Sequence, residues 1–143
     1  MLKECPPLEL GLNGSDIKLG LTTLHICKSC RPKGHPKNPQ INRPGLILFQ
    51  ELSTRILRSP LQNKVCVKGT RCLNLCPRPC GTSFSTPGAW TYLFGDHKHG
   101  ETTTDILKCL EIYIDQPDGH LPRESRPKAL QSSILGRVPP EGS

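Results

Sequence analysis

Residues 21–30, LTTLHICKSC, place a short apolar stretch directly before two cysteines. Leu24 and Ile26 alternate with polar residues, which is the period of a half-buried β-strand. The strand is predicted to end at Cys27. The pattern recurs later, where KVCVK predicts a second short strand and the cysteine-rich stretch CLNLCPRPC (residues 72–80) follows it. Each predicted strand therefore runs into a loop that carries cysteines.

The segment between these two strands predicts a helix after a proline-rich loop. In PGLILFQELSTRILRSP (residues 44–60), Leu48, Leu52 and Ile56 recur every four residues, the period of a helix with one apolar face. Prolines suit its first turn and its end. A strand, a helix and a strand in this order predict a parallel pair of strands with a right-handed crossover.

The next part of the chain predicts an antiparallel hairpin and a second helix. GTSFST (residues 81–86) and AWTYLFGD (residues 89–96) are two strand-like runs joined around a Pro-Gly pair. In the helix that follows, Thr102 and Asp105 have the spacing of a capping box. The apolar face comprises Ile106, Cys109, Leu110 and Tyr113. The element order predicts an α/β fold, a compact sandwich of the thioredoxin type.

One domain is expected from the chain length of 143 residues. Residues 1–20 have weak periodicity and are predicted to be disordered or an extension. Residues 21–119 form the predicted metal-binding domain. Residues 120–143 are predicted to be a C-terminal tail that packs on the domain with one helical turn.

The cysteine content bears on the compartment. The chain has 8 cysteines, but MLKECPPLEL lacks the apolar run of a secretory signal, and no segment approaches the roughly 20 apolar residues of a membrane span. We therefore expect a cytoplasmic protein without membrane contact. Cytosolic thiols are kept reduced, so this many cysteines favours metal binding over disulfides.

The charge of the chain is +7, with 19 Lys and Arg against 12 Asp and Glu. Such a balance suggests nucleic acid, but aromatic residues make up only 4% and no nucleic-acid-binding motif occurs. We therefore expect no nucleic-acid partner. The basic residues crowd the cysteines instead, where they would stabilise a negatively charged iron–sulfur cluster and raise its potential.

The two cysteine loops are predicted to form one site. If the first two strands are parallel neighbours, both loops leave the same edge of the sheet, which brings Cys27 and Cys30 to Cys72 and Cys76. Four thiolates suit zinc or a 2Fe-2S cluster. Cys80 is a further candidate metal ligand, and otherwise a thiol beside the site or a small buried residue. Cys66 and Cys109 are most simply core residues.

A thiol–disulfide function is the other interpretation of Cys27 and Cys30. Thioredoxins place such a pair at the start of a helix, where the macrodipole lowers the thiol pKa. Prolines follow Cys30 closely, and the predicted helix starts only after residue 43, so we expect these cysteines to lack the macrodipole. The thiol–disulfide function is therefore the less favoured one.

Histidines offer weaker candidates for a metal site. His97 and His99 form an HxH pair, which can bind metal but in a polar loop is more often a solvated turn. His25 and His35 flank the first cysteine pair and could substitute as ligands. No arrangement of acid, base and nucleophile indicates catalysis, so we expect no enzymatic activity.

Several motifs together resemble a known family. They are LHICKSCR, VKGTRCLNLCPRPC, PGAWTYLFGD, ILKCLEIYIDQPDGHLPRESRP and RVPP, in order between residues 22 and 140. They resemble the family named domain of unknown function 1636, described as predicted metal-binding and grouped with thioredoxin-like 2Fe-2S ferredoxins. The resemblance implies a thioredoxin-like sandwich of ferredoxin type. It also implies ligand positions at Cys27, Cys72 and Cys76, with Cys30 as the fourth.

These observations lead to one functional hypothesis and two alternatives. The first is a 2Fe-2S protein that carries electrons or handles clusters. The alternatives are a zinc-binding or metal-delivery module that uses the same cysteines, and a thiol–disulfide redox protein. The expected partner is a protein that exchanges electrons or metal, and association into a homodimer is left open.

Overall fold

The computed structural model describes residues 21–36, 38–71, 73, 78 and 80–140. The expectation for residues 1–20 falls outside this part of the chain. The described elements are, in order, β1 (Thr22–Cys27), α1 (Pro44–Leu57), β2 (Val65–Thr70), β3 (Thr82–Ser85), β4 (Thr91–Phe94), α2 (Thr103–Asp115) and β5 (Ile134–Val138), with short 3₁₀ turns between some of them. No helix in these ranges has the length and apolar composition needed to cross a lipid bilayer.

The strands form one mixed sheet in the order β2-β1-β3-β4-β5. β1 pairs with β2 in parallel, and β1 with β3, β3 with β4 and β4 with β5 in antiparallel fashion. The predicted parallel pair and hairpin are both confirmed. In the β1–β2 register Thr22 faces Val65 and Cys27 faces Thr70, so the two strands start and end together.

The core lies where the two helices pack with the sheet. α1 buries Leu48, Leu52 and Ile56, the positions that the four-residue period predicts, and α2 buries Ile106 and Leu110. These side chains form one apolar cluster with the buried residues of β1, β3 and β4. Both predicted helices are confirmed. In each, the helical period places the apolar residues on one face, and this face packs on the sheet.

Aromatic rings occupy the middle of this core. Phe84 lies 5.2 Å from Phe94 and 5.8 Å from Tyr113, between ring centroids, which are favourable distances for aromatic pairs. The Tyr113 hydroxyl donates to the carbonyl of Trp90, and the Tyr92 hydroxyl accepts the N–H of Leu121 at 2.8 Å. Each buried phenol therefore has a partner.

The C-terminal region differs from the prediction. Residues 120–143 are expected to form a tail with one helical turn. The described part of this segment does contain short 3₁₀ turns, Arg123–Ser125 and Lys128–Leu130, but Ile134–Val138 is an edge strand paired with β4. No residue of β5 is fully buried, and its sequence ILGRV does not alternate apolar with polar residues, which is the pattern by which a half-buried strand is found. Pairing with β4 and the Arg137 guanidinium, 4.3 Å from the Trp90 ring centroid, hold it in place.

The start of α2 also differs in detail. The capping box at Thr102 and Asp105 is wrong, because the Thr102 side chain makes no capping hydrogen bond. Its hydroxyl bonds instead to the backbone N–H and carbonyl of Lys98, at 3.0 and 3.1 Å. Thr103, the first residue of α2, donates its hydroxyl to Glu51 at 2.9 Å and so ties α2 to α1.

The first turn of α1 is in direct contact with the end of β1. The N–H of Gly45 donates to the carbonyl of Cys30 at 3.0 Å. A Cβ atom at Gly45 would lie 2.2 Å from the carbonyl oxygen of Cys27 and 3.0 Å from the nitrogen of Cys30. Only glycine permits this approach of helix and loop.

We predict that Gly45→Ala destabilises the protein by about 2–3 kcal/mol, since the new methyl group overlaps backbone that has little room to move. Urea unfolding measures the change. Gly136→Ala is the matched control, because a Cβ there would meet only Leu93 Cδ1 at 4.0 Å, an ordinary contact. Equal unfolding free energies for the two variants would contradict the close contact between α1 and the Cys27–Cys30 loop.

Candidate metal centre

The parallel pairing of β1 and β2 brings the two cysteine loops together. The N–H of Lys28 donates to the carbonyl of Thr70 at 2.8 Å, and the Ser29 hydroxyl donates to the carbonyl of Arg71. The loop after β1 is thus bonded to the loop after β2, one residue before Cys72. Cys72 and Cys76 themselves lie outside the described residues, so their part in the site stays a prediction.

The sulfur of Cys27 is the acceptor of several hydrogen bonds. The thiol of Cys30 donates to it, and this bond is the largest cause of a lowered Cys27 pKa. Burial of Cys27 opposes the shift, while the backbone N–H groups of Leu73, Ser29 and Cys30 add to it. Leu73 immediately follows Cys72, so the backbone of the second cysteine loop contacts the sulfur of Cys27.

The pKa of Cys30 is shifted in the opposite direction, upwards. Its sulfur accepts the N–H groups of Gly81 and Cys80, but the hydrogen bond it donates to Cys27 and its own burial raise its pKa. Of the two thiols, Cys27 therefore loses its proton first. Both side chains are nearly inaccessible, with 1% and 2% of their surface exposed.

Cys80 joins this group from the other end of the second loop. It is 1% exposed and has a φ of 61°, a left-handed conformation uncommon for residues other than glycine. Burial, with the nearby charge of Cys27, raises the pKa of its thiol to about 11. Cys80 supplies a backbone N–H to Cys30, and its role as a metal ligand stays a prediction.

Among the residues that the structure describes, no group of three or more His, Cys, Asp or Glu side chains is arranged to hold a metal ion. The described thiols alone therefore do not complete a metal site. The predicted set of four needs Cys72 and Cys76, whose loop is anchored at both ends beside Cys27 and Cys30.

One argument against a reactive dithiol is wrong. The sequence separation between Cys30 and α1 predicts that the helix macrodipole cannot reach Cys27 and Cys30. In the structure the proline-rich loop turns back, and Gly45 in the first turn of α1 bonds to Cys30. The positive end of the helix thus lies against the loop that carries Cys27 and Cys30.

Arg78 anchors the second cysteine loop to the rest of the sheet. Its Nε donates to Asp96 Oδ2 at 2.6 Å, and its Nη2 donates to the carbonyl of Ser132 at 3.3 Å. A Cβ at Gly95 would lie 2.8 Å from the Arg78 carbonyl oxygen, so the two backbones are in close contact. The sequence carries no signal for this pair, because the residues are distant along the chain and charged residues are common in loops.

No histidine belongs to a metal-binding group of side chains in the part of the chain that the structure describes. His97 is 4% exposed and its Nε2 bonds to the Thr82 hydroxyl at 2.9 Å, so its expected place in a solvated turn is wrong. His99 faces outward, with its Nδ1 3.8 Å from the Glu51 carboxylate. His25 is half-buried within β1, and His35 lies near the surface with its Nδ1 3.0 Å from the carbonyl of Pro36. The HxH pair is therefore divided, with His97 buried and His99 partly exposed.

The chain matches a known protein family over most of its length. The family model described as protein of unknown function (DUF1636) matches residues 24–140. The chain belongs to this family. The resemblance in the sequence motifs is therefore confirmed. No curated protein sequence matches the chain.

Two solved structures show the fold of this DUF1636 protein. Both are of a thioredoxin-like [2Fe-2S] ferredoxin from Aquifex aeolicus, and each is 19% identical to this chain. One aligns with a TM-score of 0.54 over 86% of this chain and 97% of its own. The other, at 1.5 Å resolution, aligns with a TM-score of 0.53 over 81% and 97%. The predicted thioredoxin-like sandwich of ferredoxin type is confirmed at the level of fold.

We predict that His97 makes the protein sensitive to acid. Burial lowers its pKa from 6.5 to about 4, against a smaller opposing effect of Asp96. The unfolded chain therefore takes up this proton first, so stability present above pH 6.5 is lost as the pH falls towards 4. The loss between pH 7 and 4.5 is about 2–3 kcal/mol.

Urea unfolding at the two pH values measures this effect. His97→Gln, which can still bond to Thr82, should reduce the difference in unfolding free energy, whereas the more exposed His99→Gln should retain it. An unchanged pH dependence in His97→Gln would show that another group is responsible.

Proposed function

We propose that this protein binds a 2Fe-2S cluster through Cys27, Cys30, Cys72 and Cys76 and acts as an electron carrier or cluster-handling protein. The observation that carries the proposal is the set of hydrogen bonds around Cys27. Its buried sulfur accepts backbone N–H groups from its own loop and from Leu73 of the second cysteine loop. Sulfur ligands of iron–sulfur clusters are held and tuned by such hydrogen bonds.

The described residues fit the donor chemistry of such a cluster. Cys27 and Cys30 are free, buried thiols at the end of β1, and N–H groups from three chain segments point at their sulfurs. Burial alone would hold both thiols protonated, and a bound metal would displace those protons. Cys80 stays a candidate fifth thiol beside the proposed ligands.

One-electron exchange is the chemistry that a bound 2Fe-2S cluster supplies. The chain contributes by stabilising negative charge at the sulfurs, through N–H donors, through the start of α1 and through nearby basic residues such as Lys28 and Arg71. Each of these favours the more negative, reduced state and raises the reduction potential. The enclosed position of Cys27 and Cys30 keeps water from their sulfurs.

The proposal includes the setting in which the protein works. We place it in the cytoplasm, where the free thiols of Cys27 and Cys30 would stay reduced, with a protein partner that exchanges electrons or clusters. Cys66, which is buried in β2, is not among these free thiols, because it is in a disulfide. It needs neither nucleic acid nor a membrane, and no enzymatic activity of its own. Association into a homodimer is left open.

A thiol–disulfide function is the second candidate, favoured by the hydrogen bond from the Cys30 thiol to Cys27 and by the contact of α1 with their loop. A lowered pKa on the first cysteine of a CxxC pair is typical of redox-active dithiols. Under this function Cys27 and Cys30 would form a reversible disulfide and bind little metal.

We predict that protein purified without oxygen absorbs visible light and contains iron and sulfide in equal amounts. Cys27→Ser and Cys30→Ser should each lower the iron content more than about tenfold, because each removes a ligand. Cys109→Ala is the control, since Cys109 is a free cysteine buried in the core on α2. Colourless protein with one zinc would support the zinc-binding alternative and reject the cluster.

Cys72→Ser separates the metal functions from the dithiol function. Metal should be lost in this variant if the two loops share a site. If instead the Cys27–Cys30 disulfide forms and reduces as in the unaltered protein, with little metal in either, the dithiol function is correct.

A further inference from the structure

A basic cavity lies beside the two cysteine loops. Its volume is about 490 Å³, and three cations line it, Lys28, Arg43 and Arg71. Ser29 and Gln40 add a hydroxyl and an amide. No carboxylate lines it among the described residues, so the cavity presents positive charge and hydrogen-bond donors.

Contacts with neighbouring residues position two of the cations of this cavity, Lys28 and Arg43. A Cβ at Gly69 would lie 2.4 Å from Lys28 Cδ, so the Lys28 stem lies directly over Gly69 of β2. The Lys28 ammonium is 5.9 Å from the ring centroid of Phe49. The Arg43 guanidinium donates to the carbonyl of Ser29 at 3.5 Å, and the Ser29 hydroxyl donates to the backbone carbonyl of Arg71. Holding flexible side chains in this way lowers the entropy cost of binding a ligand.

Among the described residues, no acidic side chain forms a salt bridge with Lys28 or Arg71. The salt bridges found within the described ranges are Arg78–Asp96 and His99–Glu51, neither of which involves this cavity. Bringing like charges into one concave surface is unfavourable unless an anion offsets it, and low-dielectric walls strengthen the field at its mouth.

A second cavity provides the contrast. It has a volume of about 510 Å³ and is also lined by three cations, Arg55, Arg58 and Lys108. Glu111 lines it as well, so a carboxylate is already present among the cations. The two cavities are similar in volume but differ in charge, so the second cavity is a control for binding to the first.

We propose that the cavity formed by Lys28, Arg43 and Arg71 binds small anions with at least two negative charges, through phosphate or carboxylate groups. Its volume is in the range of small-molecule sites, and its cations and polar groups match the oxygens of such ligands. The proposal is independent of the metal, since the cations are placed by β1, β2 and the start of α1. A bound anion would lie against Lys28 and Ser29, the two residues that follow Cys27.

Isothermal titration calorimetry of the purified protein at low salt tests this proposal, with inorganic phosphate and succinate as separate probes. We expect saturable binding of one or both, and the stronger probe identifies the preferred group. Lys28→Gln and Arg71→Gln should each weaken binding at least about fivefold, since both remove a charge from the cavity. Lys108→Gln, in the second cavity, should leave the affinity unchanged.

Circular dichroism and metal analysis of each variant accompany the titrations. Lys28 and Arg71 are exposed, so we expect both variants to fold. Binding of neither probe would overturn the proposal, as would equal weakening by Lys108→Gln, which indicates a general effect of net charge. Anion binding in protein that carries no cluster would support the cavity while rejecting the proposed function.

Discussion

The parallel pairing of β1 with β2 is the constraint on which the candidate site depends. Because Cys27 lies opposite Thr70, the chain leaves both strands at the same edge of the sheet. The crossover through α1 makes this pairing possible, and Gly45 lets the first turn of α1 come against the loop after β1. A residue with a side chain at that position would separate the helix from the cysteines.

The electrostatics of the site follow from two opposing effects on buried thiols. Burial raises the pKa of a thiol, and hydrogen bonds to its sulfur lower it. At Cys27 the hydrogen bonds that its sulfur accepts prevail. At Cys30 the hydrogen bond that its thiol donates to Cys27 raises the pKa most, with burial adding to it, and at Cys80 burial prevails. The group is thus prepared for one negative charge, and a metal cation would favour the others. The same features suit a dithiol, which is why the metal content decides between the two functions.

Much of the fold could be predicted from the sequence because its main elements carry strong periods. β1, α1 and α2 each have apolar residues at the repeat expected for a strand or a helix. The parallel pairing of β1 and β2, and so the shared edge of the sheet at which both strands end, follows from the crossover rule. β5 could not be found this way, since it is a half-exposed edge strand with a weak pattern. The contact of Gly45 with Cys30 was missed because distance along the chain is a poor guide to distance across a folded loop.

For the candidate site, the sequence predicts where the two cysteine loops meet better than it predicts the surroundings of their sulfurs. Cysteine spacing and strand order placed two loops at one edge, but the N–H donors of Leu73 and Gly81 and the Arg78–Asp96 pair depend on loop conformation. Burial of His97 is likewise a tertiary effect, since a short HxH sequence does not reveal which ring turns inward.

The most direct test of a shared site is metal-edge X-ray absorption of the purified protein and of Cys72→Ser. The account predicts a metal surrounded by sulfur alone in the unaltered protein. Loss of the metal, or replacement of one sulfur by oxygen, is predicted in the variant. A shell of nitrogen and oxygen, or a sulfur shell that Cys72→Ser leaves unchanged, would contradict it.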